Sequence, residues 1–108
     1  IVSDHLISLM MAQLSENPAL FSVFTDIFDP EGSEIYLKPI GNYVHTGQPV
    51  NFHTLVESAR RRGETALGYR CYAENGMAER SYGIHLNPKK SAKVAFTPQD
   101  KLIVVSDN

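Results

Sequence analysis

The apolar run within KLIVVS, close to the end of the chain, constrains the fold more than any other feature of the sequence. A short uninterrupted run of this kind, rich in β-branched residues and preceded by the turn-forming TPQD, is typical of a buried strand. The chain has 108 residues and an apolar share of 43%, which fits one ordered domain or a part of one. We therefore expect a sheet with this strand inside it.

Helical patterns dominate the first part of the chain and recur once in the middle. HLISLMMAQL carries an apolar stripe at helical spacing, and Asn17-Pro18 ends that helix and begins a second one, PALFSVFTDIF. Asn51 caps a third helix, FHTLVESARRR, which Gly63 closes. We predict an α+β fold in which a helical hairpin, residues 1–28, precedes an α+β subdomain, residues 29–108, made of a small mixed β-sheet and one packed helix.

Three further strands are predicted in that second part. EIYLKPI alternates as a strand, TALGYRCYA forms one over about residues 65–73, and another returns near residues 80–86. Asn75 and Gly76 predict a type I′ hairpin turn between the last two, because both residues accept a positive φ. HTGQPV is typical of a loop.

The sequence contains no recognisable catalytic or metal-binding motif. The four histidines are not spaced as metal ligands, and neither a nucleophile elbow nor a glycine-rich phosphate loop is present. Cys71, the single cysteine, lies in a predicted strand and is expected to be a small core residue. We predict no catalytic activity, no metal site of the chain's own and no cofactor. A small α+β enzyme or an enzyme's regulatory domain remains the alternative, as does a divalent cation site completed by a partner subunit.

Charge and hydropathy limit the classes of partner and the cellular compartments that fit this chain. A net charge of −2 leaves no electrostatic footprint for nucleic acid, and no apolar run reaches the ~18 residues that a membrane span needs. The lone cysteine fits a reducing compartment, and no signal peptide is recognisable. Because the chain begins abruptly on Ile1, we expect a domain excised from a longer protein, with any membrane segment outside it.

The first two helices carry more apolar surface than the compact remainder obviously covers. An apolar patch of several hundred Å² seldom stays exposed on a monomer, which predicts a homodimer. The predicted dimer contacts are Leu6, Ile7, Met10, Met11, Leu14, Phe21 and Phe24.

Arg70 is the most informative candidate for a binding residue. Alternation along its strand places Leu67, Tyr69 and Cys71 on one face and Arg70 on the other, where it shares an anion-binding surface with the next strand. The predicted ligand-binding residues are Arg70, Tyr72, His85, Asn87, Lys89 and Lys90. The alternative is that Arg70 pairs with a carboxylate such as Glu79 or Glu57 on a solvated sheet face.

A family resemblance runs through these segments. VNFHTLVESARRRGETALGYR, GIHLNPKK and FTPQDKLIVVSDN resemble the C-terminal subdomain of regulator-of-K⁺-conductance (RCK, TrkA-C-like) modules, with Asp100 at the position that launches the last strand. SDHLISLMMAQLSENPALFSVFTDIFDPEGSEIYLKPI extends the resemblance to Castor/Pollux-type ion channels. Together these segments cover nearly the whole chain.

The resemblance implies a cytosolic regulatory domain of a cation channel or transporter, with potassium transport as the first expectation. It implies that the first helix is a crossover helix exchanged in a dimer, and that ligand or ion binding at the dimer interface is coupled to gating. A nucleotide such as NAD would belong to a Rossmann half, which, like the pore domain, is absent from this sequence.

Overall fold

The computed structural model describes residues 4–16, 18, 19, 22 and 34–106. Two α-helices have both ends within these ranges, α1 (Asp4–Ser15) and α2 (Phe52–Arg61), and residues 18, 19 and 22 are also helical. The strands are β1 (Glu34–Pro39), β2 (Pro49–Asn51), β3 (Thr65–Arg70), β4 (Ile84–Leu86), β5 (Lys93–Ala95) and β6 (Lys101–Ser106). Short 3₁₀ helices lie at Ile40–Asn42, Tyr72–Glu74 and Ala78–Gly83. None of the helices in the described ranges has the length and apolar character that crossing a membrane requires.

Four strands form the main sheet, in the order β1-β6-β3-β4, and every neighbouring pair is antiparallel. The prediction of an α+β fold is confirmed, but the prediction of a mixed sheet is wrong. β1 and β3 run in the same direction and are joined by a crossover that contains α2. Because β6 is inserted between them, the two parallel strands never pair with each other.

The sequence run KLIVVS forms the buried central strand that its composition predicted. On one face Ile103 and Val105 pack with Met10 and Leu14 of α1. On the opposite face Leu102 and Val104 belong to a second apolar cluster that includes residues of α2. The sheet is therefore covered by one helix on each face, and we call these the α1 face and the α2 face.

The ends of α2 follow the predicted capping chemistry. The Asn51 side chain accepts a hydrogen bond from the Thr54 amide at 3.0 Å, which satisfies one free donor of the first turn. At the other end Gly63 has a φ of +74°, a left-handed conformation that suits glycine. Both predicted boundaries of this helix are confirmed.

A β-bulge in β3 changes which residues share a face. The register between β3 and β6 shifts between Ala66 and Gly68, so Leu67 packs with the α1 cluster and Tyr69 with the α2 cluster. The prediction that Leu67 and Tyr69 lie on the same face is therefore wrong. A β-carbon built on Gly68 would come 2.1 Å from the His85 carbonyl oxygen, so this close approach of β3 and β4 requires glycine.

The connection between β3 and β4 is longer than predicted. The two strands are antiparallel neighbours, as expected, but β3 ends at Arg70, β4 begins only at Ile84, and two 3₁₀ helices lie between them. The predicted type I′ turn is wrong because Asn75 has a φ of −63°. The left-handed residues are instead Tyr82 and Gly83, with φ of 55° and 83°, next to β4.

A two-stranded antiparallel ribbon of β2 and β5 was not predicted. The loop predicted for HTGQPV covers only the first four of these residues, because β2 begins at Pro49. Each strand has three residues, too short for an alternating pattern to be recognised in the sequence.

The predicted helical hairpin is described in its first half. Within α1, Met10 and Leu14 are buried in the core of this chain, whereas Met11 is 37% exposed. Most of the second predicted helix, with Phe21 and Phe24, lies outside the described residues, and so do the side chains of Leu6 and Ile7.

Gln13 ties α1 to the edge of the sheet. Its side-chain Nε2 donates to the Ile84 carbonyl at 2.6 Å, and its Oε1 accepts from the Leu86 amide at 3.4 Å. The side chain thereby occupies backbone groups of β4 that an added strand would otherwise use.

Candidate functional site

A cavity of about 210 Å³ opens on the α1 face of the sheet, where β3 ends and β6 begins. Two basic side chains come from the sheet itself, two amides come from flanking turns, and an aliphatic and an aromatic side chain complete the wall. The lining residues are Leu37, Arg70, Tyr72, Asn75, Gln99 and Lys101.

Arg70 and Lys101 lie directly opposite each other across the β3–β6 ladder. Arg70 Nε donates to the Tyr82 carbonyl oxygen at 3.0 Å, which orients the guanidinium. Neither side chain forms an ion pair with a carboxylate among the described residues. The alternative in which Arg70 pairs with Glu57 or Glu79 is therefore wrong for this structure, and Glu57 instead lies 3.5 Å from Arg60.

The acidic groups that neighbour the cavity in sequence have other partners. Glu74 contacts His85 Nε2 at 2.9 Å and Arg80 Nη1 at 3.1 Å. The hydrogen bond to His85, aided by the charge of Arg80, outweighs partial burial and lowers the pKa of Glu74 below its ordinary value. This carboxylate is thus held as an anion by His85 and Arg80 and is not among the residues that line the cavity.

Asp100 fixes the rim of the cavity through the backbone. One carboxylate oxygen accepts from the Tyr72 amide at 2.8 Å and the other from the Thr97 amide at 2.9 Å. The Asp100 carbonyl also accepts from the Ile40 amide at 3.1 Å. Because this buried side chain joins the start of β6 to the segment that follows β3, it sets the distance between Tyr72 and Lys101.

The six predicted ligand-binding residues do not form one cluster. Arg70 and Tyr72 come together in the cavity, whereas His85 lies on the α2 face, where its ring stacks on Tyr69 with centroids 4.8 Å apart. Asn87, Lys89 and Lys90 follow β4 and are exposed. Of these, Lys90 accepts a hydrogen bond from the His53 amide in the first turn of α2.

Sequence reasoning missed Lys101, Asn75, Gln99 and Leu37 as cavity residues. Lys101 is the first residue of the predicted last strand, but its position opposite Arg70 depends on the β-bulge. Asn75 was assigned to a tight turn, and Gln99 to a turn without function. No signal in the sequence identifies these pairings.

A second polar cluster is buried on the α2 face around Glu64. Its carboxylate accepts hydrogen bonds from the Lys38 ammonium and, at 2.7 Å, from the Tyr43 hydroxyl. Burial alone would raise the pKa of Glu64, but these hydrogen bonds and the charge of Lys38 outweigh it and lower the pKa below 4.5. Burial and the Glu64 hydrogen bond raise the pKa of Tyr43 far above its ordinary value.

The Glu64 cluster joins three elements and is filled by its own members. Arg62 covers the ring of Tyr43 at 4.7 Å from the ring centroid. The arrangement ties the end of β1 to the C-terminal end of α2, and we assign it to stability. Within the described part of the chain, no group of histidine, cysteine, aspartate and glutamate side chains is arranged to hold a metal ion.

Three known proteins that are similar to this chain come from plants. Ion channel CASTOR of Lotus japonicus is 23% identical over 107 residues, which make up 99% of this chain and 12% of that protein. Probable ion channel POLLUX of Arabidopsis thaliana is 27% identical over 105 residues, or 97% of this chain and 12% of that protein. Ion channel DMI1 of Medicago truncatula is 29% identical over 107 residues, with shares of 98% and 11%. No protein-family model matches the chain.

All three of these relatives are named ion channels or probable ion channels. The chain is related to the Castor/Pollux type of ion channel, as its sequence resemblance predicted. The chain spans about 12% of the length of the first two relatives.

Proposed function

We propose that this chain is a cytosolic regulatory domain of a cation channel or transporter and has no catalytic activity. The observation that carries the proposal is the alignment of nearly the whole chain with a small segment of proteins named ion channels. A self-contained α+β unit with a polar cavity fits a part that senses a ligand rather than a part that conducts ions. The RCK C-terminal, TrkA-C-like subdomain, residues 29–108, is the proposed structural equivalent.

The proposed mechanism is a population shift in a homodimer. A ligand or ion that binds one subunit arrangement more tightly than the other favours that arrangement, and connected elements pass the change to a gate. In this proposal residues 1–28 hold the dimer together, and Met11 is an exposed apolar side chain of this segment that is available for the contact. Met10 and Leu14 contribute from within the core, by fixing α1 on its sheet.

The dimer has a direct test in solution. We expect sedimentation analysis of the chain to give a dimer at tens of micromolar, roughly tenfold above a ~1 μM dissociation constant. Met11→Ala should weaken association, whereas Ser58→Ala on the distant α2 should not. A monomer under these conditions would contradict the proposed dimer. The regulatory function is tested separately, by the flux assay described next.

The regulatory function is tested in the full-length protein that contains this chain. We expect the purified protein to pass cations in a liposome flux assay, and we expect deletion of residues 34–106 to change how often the pathway opens. The selectivity among monovalent cations should be the same with and without the deletion, because the pore is elsewhere. Absence of flux from the intact protein, or a deletion that leaves both activity and its regulation unchanged, would overturn the proposal.

A further inference from the structure

We propose that the cavity between Arg70 and Lys101 binds a small phosphate-type dianion, either inorganic phosphate or a phosphate monoester. The proposal deepens the regulatory function above by naming its ligand, and it rests on that function only for the consequence of binding. Binding itself is a property of this chain and is tested on the chain alone.

The β-bulge is what brings the two cations together. At the start of β3, Thr65 pairs with Val105 and Ala66 with Val104 of β6. If this register continued along the strand, Arg70 would lie opposite Asp100. The bulge moves the register by one residue, and Arg70 pairs with Lys101 instead. An arginine–aspartate pair on the α2 face is thereby exchanged for two like charges directly opposite each other on the α1 face, an arrangement that by itself destabilises a sheet.

The described surroundings do not neutralise this pair. Asp100 is buried, and both of its carboxylate oxygens accept backbone amides. Glu74 is engaged by His85 and Arg80. Only one N–H group of Arg70 has a described acceptor, the Tyr82 carbonyl. A doubly charged anion supplies the charge that the cavity lacks, and the remaining guanidinium N–H groups have the fork geometry that suits phosphate oxygens.

The other walls of the cavity indicate the size and kind of ligand. At about 210 Å³, it is smaller than the ~300–1,000 Å³ typical of pockets for drug-sized ligands. Asn75 and Gln99 offer amides for hydroxyl groups, and Leu37 and Tyr72 offer an apolar wall. A phosphate group with a short polar organic part, such as a pentose, matches this lining.

The test is binding of inorganic phosphate and of ribose 5-phosphate to the full chain, measured by calorimetry and thermal unfolding at constant ionic strength with sodium chloride as reference. We expect each compound to raise Tm by several degrees at about tenfold its Kd. Arg70→Ala and Lys101→Gln should each weaken binding by tenfold or more. Arg61→Ala and Lys93→Ala are the matched controls, because they remove exposed cations elsewhere, and they should bind as the unmodified chain does.

A second readout separates binding from a structural role. Without anion, Lys101→Gln should unfold at the same or a higher temperature than the unmodified chain, because it removes the like-charge opposition. Tighter binding of ribose 5-phosphate than of phosphate assigns the site to an ester, and the reverse assigns it to the free ion.

The proposal is overturned if neither compound raises Tm beyond sodium chloride, or if the control variants lose binding as Arg70→Ala does. Should a variant fail to fold, amide chemical shifts of the unmodified chain decide the matter. Phosphate must then perturb Arg70, Tyr72 and Lys101 first, and perturbation confined to Lys89 and Lys90 overturns the proposal. None of these outcomes depends on ion conduction, so failure of the binding site and failure of the regulatory function are distinguished.

Discussion

Replacing Glu64 by alanine should destabilise this domain more than replacing any exposed carboxylate. The Glu64 side chain is only 6% exposed and holds both the Lys38 ammonium and the Tyr43 hydroxyl. Removing one partner of a buried ion pair costs ~3–5 kcal/mol, and a buried hydroxyl without an acceptor costs a further ~1–3 kcal/mol. Lys38 remains 25% exposed and can turn toward water, which reduces the first figure. We therefore expect a loss of about 3 kcal/mol in the free energy of unfolding.

The assay is urea unfolding followed by circular dichroism near neutral pH. The matched control is Glu57→Ala, because Glu57 is 40% exposed and 3.5 Å from Arg60, and such a pair contributes ~0–0.5 kcal/mol. The double variant Lys38→Met with Glu64→Leu should recover the ion-pair part of the loss, since a buried ion pair is often replaceable by apolar side chains, while the Tyr43 hydroxyl still lacks its acceptor. A loss below about 1 kcal/mol for Glu64→Ala would refute the assigned role of the carboxylate.

The stability difference between the unmodified chain and Glu64→Ala should depend on pH. The pKa of Glu64 is lowered in the folded state from its ordinary 4.5, so the ionised carboxylate stabilises the fold at pH values above the unfolded pKa. This contribution is lost as the pH falls through the lower folded value. The stability difference between the unmodified chain and Glu64→Ala should be constant above about pH 5.5 and should shrink below about pH 4.5. A difference that does not change with pH would contradict the ionic role.

Three further variants test the packing. Gly68→Ala should lose ~1–3 kcal/mol of unfolding free energy, because its β-carbon would meet a β4 carbonyl at 2.1 Å. Gly76→Ala is the control and should lose little, because nothing lies within 4 Å of its β-carbon position. Equal losses in urea unfolding would contradict the close approach of β3 and β4. Gln13→Ala should lose ~1 kcal/mol and speed hydrogen exchange at the β4 amide that the glutamine now holds, and unchanged exchange there would contradict its edge-covering role. Met10→Ala should lose ~2–5 kcal/mol at every protein concentration, and Met11→Ala should lose little in the folded monomer. If the loss at Met10 grows on dilution, the side chain belongs to a subunit contact.

The sequence predicted those elements whose signals are local. Asn51 and Gly63 mark the ends of α2 by backbone chemistry that acts within one turn. The buried character of β6 follows from its composition alone, and both of its faces are covered in the structure. These elements can be predicted without knowing which distant residues pack against them.

The candidate site was recognised only in part, because it depends on pairing between distant residues. Alternation predicts only that Arg70 lies on the face opposite Tyr69, and its pairing with Lys101 depends on a one-residue bulge that alternation cannot reveal. The prediction that His85 lies beside Arg70 is wrong because the β3–β4 register pairs His85 with Tyr69, and the sequence does not reveal that register. Glu64 follows a helix-closing glycine and has the pattern of an exposed turn residue, yet Lys38 and Tyr43 draw it into the interior.

Single-channel recording from the full-length protein tests the central claim most directly. Ribose 5-phosphate or phosphate, whichever binds the chain more tightly, is applied to the side of the membrane that carries this domain. We predict that the ligand changes the open probability of the unmodified protein and of Arg61→Ala, leaves the unitary conductance unchanged, and has no effect on Arg70→Ala. An Arg70→Ala protein that responds as the unmodified one does, or a ligand that alters conductance rather than opening, would contradict the account.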